Sequence, residues 1–313
     1  MLKTVALAGL NISNVVFGTS GLGGMVKTYG YDVDDERAKA TVRAILDGPT
    51  NILDTARIYA QSENRIGAVI RERGGLPPGF VMSTKLDRDP DTGRFDAAAA
   101  RRSIETSLKL LGLERVDILQ HHDFEYVKDA TDYTARDGSI AELMKMKEEG
   151  LTTAVGLAAG PAELMMQLIR DWDFDVVLSH NRYTLLNRNA DAMFDLAVSR
   201  GAAVWNAAPY GGGVLAKGTV EAPRYAYKQA SDEVLEPARQ IEAICARYGI
   251  PTGAAALQFS MRDPRITATV VGVTKPERVQ QTLDLAAVSI PDAAWDELLA
   301  VPFTTDDPQA RAG

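Results

Sequence analysis

Short apolar runs alternate with amphipathic stretches eight times along this chain, and no linker divides the series. The runs cover residues 15–18, 51–55, 80–85, 116–122, 153–158, 175–180, 203–208 and 267–272. Runs that short and that apolar suit parallel strands covered on both faces. The stretches between them carry helix signals. DDERAKATVRAILDG opens on acids and closes at Gly48. DAAAARRSIETSLKLLG opens at Asp96 and stops at Gly112. SIAELMKMKEEG sets Ser139 three residues before Glu142, the spacing of a capping box, and stops at Gly150. TKPERVQQTLDLA places Pro276 at a helix start. Eight such units in 313 residues predict an α/β fold, a (β/α)8 TIM barrel, as one domain over residues 1–313. A doubly wound open sheet would normally split a chain this long. The residues ahead of the first run predict an N-terminal β-hairpin over the barrel floor.

Composition narrows the function classes. Apolar residues make up 46% and charged residues 24%, which suits a globular chain able to bury its own core. The single cysteine, Cys245, excludes an intramolecular disulfide and fits a reducing, cytoplasmic location. No run of 18 apolar residues is present, so no membrane partner is expected. The opening MLKTVALAGLNISNVVFG is soon broken by Asn11, Ser13 and Asn14, and reads as part of the fold rather than a signal peptide. With 34 basic against 42 acidic residues the net charge is −8, which disfavours nucleic acid as a partner. A small-molecule substrate is expected, on a monomer or small homo-oligomer.

Barrel chemistry sits where strands end. The second run ends at Asp54, with Tyr59 five residues on. The third ends at Lys85, the fourth at His121-His122-Asp123, and the sixth at His180. Singly, each has a plain structural reading: a helix cap, a core aromatic, a loop charge. Together an acid, a phenol, an ammonium and an imidazole converge at the ends of consecutive strands. That set suits moving a proton alongside a hydride. A free phenol, with a pKa near ~10, is a poor base at neutral pH. A nearby ammonium is expected to lower that value, and an imidazole to hydrogen-bond the substrate oxygen. Asp54 would hold Lys85. His121, His122 and Asp123 are adjacent, so their side chains alternate in direction and no metal site is expected. Cys245 reads as core.

The stretch NILDTARIYAQSENRIGAVI resembles the aldo-keto reductase pattern through Asp54, Thr55, Ala56, Tyr59, Glu63 and Gly67. STKL carries the lysine of that pattern, Lys85. VDILQHHD carries its histidine, which counted from Asp117 is His122 rather than His121. The resemblance covers almost the whole chain. It implies a barrel, a nicotinamide cofactor bound without a Rossmann domain, and a catalytic tetrad of Asp54, Tyr59, Lys85 and His122. VDILQHHDFEY, DVVLSHNRYTLLN and AAPYGGGVLAKG are similar to the aldose 1-dehydrogenase branch, which oxidises the anomeric hydroxyl of an aldose to a lactone with NAD or NADP. An NADPH-dependent reductase of aldehydes or ketones is the alternative. A cofactor-binding regulatory subunit and a metal-dependent hydrolase or lyase are weaker rivals.

GTSGLGG invites a dinucleotide-fingerprint reading but fails it, because Val26 stands where the third glycine belongs. Its Thr19 and Gly21 are instead expected to let the loop approach the cofactor. PYGGGVLAKG offers Pro209, Tyr210, Gly211 and Gly212 toward a pyrophosphate. GVTKPERVQQT leads into a helix N-terminus and offers Gly272, Val273, Thr274, Arg278, Gln281 and Thr282. The resemblance implies that this last segment holds the adenosine phosphate. Gly272 stands where NADP-specific members commonly have Lys, which tilts the expectation to NAD; Lys275 and Arg278 keep NADP open. Thr282 replaces a common Asn. Ala158-Ala159 replaces the Ser-Asn pair that meets the nicotinamide amide, leaving His180 and Asn181 for that contact or for the sugar. Ala207 stands at the usual stacking aromatic, with Trp205 and Tyr210 close by.

Overall fold

All eight runs become parallel strands. The structure, a computed structural model, describes residues 2–310. The strands are β1 (Val15–Gly18), β2 (Ile52–Asp54), β3 (Val81–Leu86), β4 (Ile118–His122), β5 (Ala154–Ala159), β6 (Val176–His180), β7 (Ala203–Ala207) and β8 (Ile266–Gly272). They pair in chain order, and β8 returns to β1 to close a barrel, with Gly272 opposite Gly18. Helices follow the strands, among them Asp35–Leu46, Ser62–Arg73, Ala97–Leu111 and Ser139–Glu148. The chain is therefore a (β/α)8 TIM barrel.

Side chains on a strand alternate between two faces, and here each face has its own apolar cluster. Val16, Ile52, Val81, Ile118, Val176, Leu178, Trp205 and Val270 fill the lumen. Phe17, Leu53, Met82, Leu119, Val177 and Val204 pack outward beneath the helices. The expected hairpin is present: Thr4–Leu7 pairs antiparallel with Leu10–Ser13. Its Leu7 and Ile12 join the lumen cluster, so the hairpin plugs the N-terminal end and leaves the opposite mouth open to chemistry.

The caps behave unevenly. Asp34 and Asp96 accept from the Arg37 and Ala99 amides at 2.9 Å, as acids at helix starts should. The capping box at Ser139 does not form. Gly138 takes the cap position without a side-chain bond, the Ser139 hydroxyl lies 2.7 Å from Nε2 of His121, and Glu142 pairs with Arg101. Ser139 and His121 are fully buried, and burial favours pairing the hydroxyl with the Nε2 of the ring. The helix Thr252–Arg262, which precedes β8, buries its three alanines, Leu257 and Phe259.

Candidate active site

Asp54 and Lys85 both point into the lumen at its open end. Lys85 Nζ donates to Asp54 Oδ2 at 2.6 Å and to the Thr55 carbonyl at 2.7 Å; the residues are 1% and 3% exposed. The other carboxylate oxygen, Oδ1, accepts from Ser83 Oγ at 2.9 Å and from Gln120 Nε2 at 3.1 Å. A buried ion pair needs such extra donors to offset desolvation.

The same alternation sorts the two adjacent histidines. Counting from Ile118 in the lumen, Gln120 and His122 face inward and His121 faces out. His121 stacks on Phe95 at 4.1 Å, and burial drives its pKa down to about 3. His122 joins Tyr59, their rings perpendicular with centroids 5.7 Å apart, and Lys85 Nζ lies 5.2 Å from the Tyr59 centroid. The four residues of the expected tetrad therefore share one mouth.

Tyr59 is carried by the turn after β2. Gly23, in the loop after β1, backs that turn so closely that a Cβ there would stand 2.0 Å from the Tyr59 carbonyl oxygen. Only glycine permits the approach. The electrostatics of the phenol differ from expectation. Its pKa is pushed well above the usual value, first by burial and then by the Asp54 charge, with Tyr29, Asp123 and Tyr227 adding to it. The lowering expected from the ammonium is not found, because Asp54 sits directly on Lys85. The phenol is thus held protonated at neutral pH.

Two rings cover the mouth, and neither carried a recognisable signal. Tyr29 ends the short helix Val26–Tyr29 and donates to Ser20 Oγ at 2.8 Å. Tyr227 sits at the tip of a small hairpin, Arg224–Tyr225 with Lys228–Gln229, whose turn residues Ala226 and Tyr227 have φ of 45° and 71°. Such turns normally take Asn-Gly, and a non-glycine residue there costs about 1 kcal/mol or more. The turn sets Tyr227 edge-on to Tyr29 at 5.8 Å and 6.3 Å from His180. Arg224 clamps the bridge by donating to the carbonyls of Tyr227 at 2.8 Å and Thr28 at 3.3 Å.

The C-terminal segment closes one side. Arg182 binds Asp307 at 2.5 Å and Gln309 at 3.1 Å, beside inward-facing His180. Burial and the Arg182 charge lower the pKa of His180 to about 3, so its ring is neutral. A cavity of about 250 Å³ lies there, lined by Glu125, Tyr126, Pro161, Arg182, Asp307 and Gln309. A larger one, about 350 Å³, lies at the opposite end beneath the hairpin. It holds no tetrad residue, and its Arg265 is already bound by Asp191, Asp195 and Asp263. The first lies at the tetrad's end of the barrel, although neither cavity is lined by a tetrad residue.

The expected cofactor positions divide. The loops after β1 and β8 do meet: a Cβ on Gly21 would lie 2.8 Å from the Thr274 methyl, so the two loops touch without room for a side chain. Gly272 is exposed with open space beside it. The helix Glu277–Ala287 starts without a side-chain cap, with exposed Arg278 and Gln281 on it and exposed Lys275 just before it. Pro209 is buried, and Gly211 and Gly212 turn at φ 58° and 82°. This open glycine edge and uncapped helix start, with Lys275 and Arg278 beside Glu277, fit a dinucleotide phosphate chain. Other positions are spent on the fold. The Thr19 hydroxyl donates to the Asp54 carbonyl at 3.0 Å and accepts from Ser62 at 2.9 Å. Thr282 donates to the Arg278 carbonyl at 2.8 Å, and the Val273 side chain is buried in the outer core. Tyr210 packs with Leu257, Leu285 and Ala286 of the outer helices, while Trp205 is fully buried in the lumen.

Sequence reading missed Ser83, Asp87, Gln120, Tyr29, Tyr227 and Gln309. Strand parity counted from Lys85 and Ile118 would have found the first three. Asp87 is bound to His122 at 2.7 Å.

Glu63, behind β3, is 1% exposed and accepts from Thr84 Oγ1 at 2.6 Å; burial lifts its pKa to about 7. The folded value exceeds the unfolded one, so its contribution is full below about 4.5 and is lost as pH rises toward 7. Glu63→Gln should therefore stabilise the protein at pH 8, by on the order of 3 kcal/mol, and have little effect near pH 4.5. Urea unfolding at both pH values checks this; a gain independent of pH would refute it.

Among the described residues no three His, Cys, Asp or Glu side chains gather to hold a metal, and no helix is long and apolar enough to cross a membrane. Residues 14–301 match the model of the aldo/keto reductase family. The chain is 30% identical to a D-threo-aldose 1-dehydrogenase of a Pseudomonas species, covering 94% of this chain and 95% of that one. It is 26% identical to a pyridoxal 4-dehydrogenase of Microbacterium luteolum (95% and 96%) and 29% identical to an L-galactose dehydrogenase of Arabidopsis thaliana (92% and 88%). Among solved structures, an aldo-keto reductase of Bacillus halodurans in its holo form superposes with a TM-score of 0.77 at 18% identity, over 96% of both chains.

Proposed function

The chain belongs to the aldo/keto reductase family, and from that premise we propose that it is a single-domain, nicotinamide-dependent dehydrogenase that oxidises the anomeric hydroxyl of an aldose to a lactone, using NAD in preference to NADP. The convergence of Asp54, Tyr59, Lys85 and His122 at one mouth carries this reading. The bound nicotinamide would exchange the hydride, held by the loops around Gly21, Gly211, Gly272 and Arg278. Tyr59 exchanges the proton with the substrate oxygen, His122 orients that oxygen, and Asp54 anchors Lys85. A polyhydroxylated substrate suits the mouth: Asp123, Glu125, His180 and Gln309 offer polar groups, and Tyr29 and Tyr227 offer ring faces. The aldose and galactose dehydrogenases among the relatives support the sugar class. The absent side chain at Gly272, and acidic Glu277 beside Arg278, support NAD over a dinucleotide with a further phosphate.

The upward push on Tyr59 favours a second reading, an NADPH-dependent reductase of aldehydes or ketones, because a protonated phenol is ready to act as an acid. Initial rates with NAD⁺ plus a panel of aldoses, set against NADPH plus simple aldehydes, decide between them. Lactone formed in the first assay, captured as its hydroxamate, is the expected result. Turnover in the second alone would overturn the sugar-oxidising proposal.

A further inference from the structure

The lumen parity of β3 continues past its end. Ser83 and Lys85 face the mouth, and Asp87, two residues on, does too, though only 3% exposed. Both carboxylate oxygens and the amide of Asp87 are used. Oδ1 lies 2.7 Å from Nδ1 of His122, Oδ2 accepts from the Ile58 amide at 2.9 Å, and its own amide donates to Ser103 Oγ at 3.0 Å. One carboxylate thus ties β4 to the turn that carries Tyr59, since Ile58 precedes it.

His122 has a second carboxylate at its other nitrogen. Asp123 Oδ1 stands 3.3 Å from Nε2, from a side chain 23% exposed on a residue in left-handed conformation, φ 47°. The two contacts differ in kind. Asp87 is buried and doubly anchored, whereas Asp123 is solvent-reachable and lies on the side of the ring that faces the mouth.

We propose that Asp87 is a positioning residue for His122: it fixes the imidazole through Nδ1, so that Nε2 is the nitrogen presented to the substrate oxygen, in the place that Asp123 fills in the free protein. A carboxylate only accepts, so Nδ1 must carry a proton, and the ring orientation follows. This rests on the reading of His122 as the group that orients the substrate. The charges around the ring agree. Burial opposes an imidazolium, but Asp123 and then Asp87 outweigh burial and the Lys85 charge, and the His122 pKa is raised. Beyond these, Glu125, the neutral His180 ring and the edge-on Tyr59 ring face it. The other two histidines are driven down to about 3. A charged ring makes Nε2–H a stronger donor to a carbonyl oxygen than a neutral one.

Imidazole ¹⁵N NMR on the cofactor-free protein tests this, because the chain has only 3 histidines and His122→Asn assigns the signal. In the wild type, His122 should titrate above both others, with a hydrogen-bonded Nδ1–H. In Asp87→Asn its titration should fall by about one pH unit or more. The matching limb of the kcat/KM profile for carbonyl reduction should move with it, and kcat should fall about tenfold. Asp87→Glu should restore the limb. Ser103→Ala, which loosens the same turn without touching the carboxylate, should leave the titration in place. A neutral wild-type His122 with its proton on Nε2 would overturn the proposal without any variant. So would an unmoved titration in Asp87→Asn, or an equal shift in Ser103→Ala. A chain inactive on every substrate but showing the Asp87-dependent titration would remove the dehydrogenase reading and leave Asp87's hold on the ring intact.

Discussion

Tyr59→Phe is expected to lower kcat by about 10²- to 10⁴-fold while leaving cofactor affinity and fold unchanged, the range lost when a positioned acid–base group is removed. The substitution keeps the ring, so its edge contact with His122 and its place 5.2 Å from Lys85 Nζ survive. Only the proton carrier is lost. Cofactor titration by fluorescence quenching and steady-state turnover separate the two effects. The raised phenol pKa adds a directional signature. Because the phenol is protonated at neutral pH, its ionisation should add no limb to carbonyl reduction near neutrality beyond that of His122, and alcohol oxidation should climb through the alkaline range. A variant turning over at the wild-type rate, or oxidation that falls with rising pH, would remove Tyr59 from the chemistry.

Breaking the buried pair should produce the largest loss of stability, and the two halves should differ. Asp54→Ala leaves the Lys85 ammonium, 1% exposed, with the Thr55 carbonyl as its remaining partner. An uncompensated buried charge costs roughly 3–5 kcal/mol. Lys85→Met leaves the Asp54 carboxylate with the Ser83 hydroxyl and Gln120 amide as donors, and should cost about 2 kcal/mol. Both should abolish turnover, because Asp54 and Lys85 fix the ground on which Tyr59 and His122 stand. Urea midpoints at constant m rank the two variants. Lys85→Met proving the more damaging would show that the Ser83 and Gln120 bonds do not sustain the carboxylate as described.

The barrel was legible because its signal is local and repeated. Each run of β-formers, from 15–18 to 267–272, is bounded by helix starts and stops within a few residues. The tetrad was legible for the same reason: Asp54, Lys85 and His122 are strand-end residues, and Tyr59 lies one turn beyond. The choice of His122 over His121 rested on resemblance, although strand parity from Ile118 makes the same choice on physical grounds. The expected cofactor positions were legible only as loops. The glycines at 21, 211, 212 and 272 border the expected edge, but the hydroxyls of Thr19 and Thr282 are drawn into the fold by neighbours distant in sequence or one helical turn back.

Sequence alone determined the order of the elements, the closed barrel and the end at which chemistry gathers, since periodicity and caps act between residues near one another in the chain. Tertiary structure decided the rest. It brought Asp87 to His122 across 35 residues, bent Ala226 and Tyr227 into a turn that neither residue favours, moved Ser139 from a helix cap to a buried ring, and reversed the expected shift of the Tyr59 phenol. These outcomes depend on burial and on charges converging from different strands, and such fields exist only once the barrel has closed.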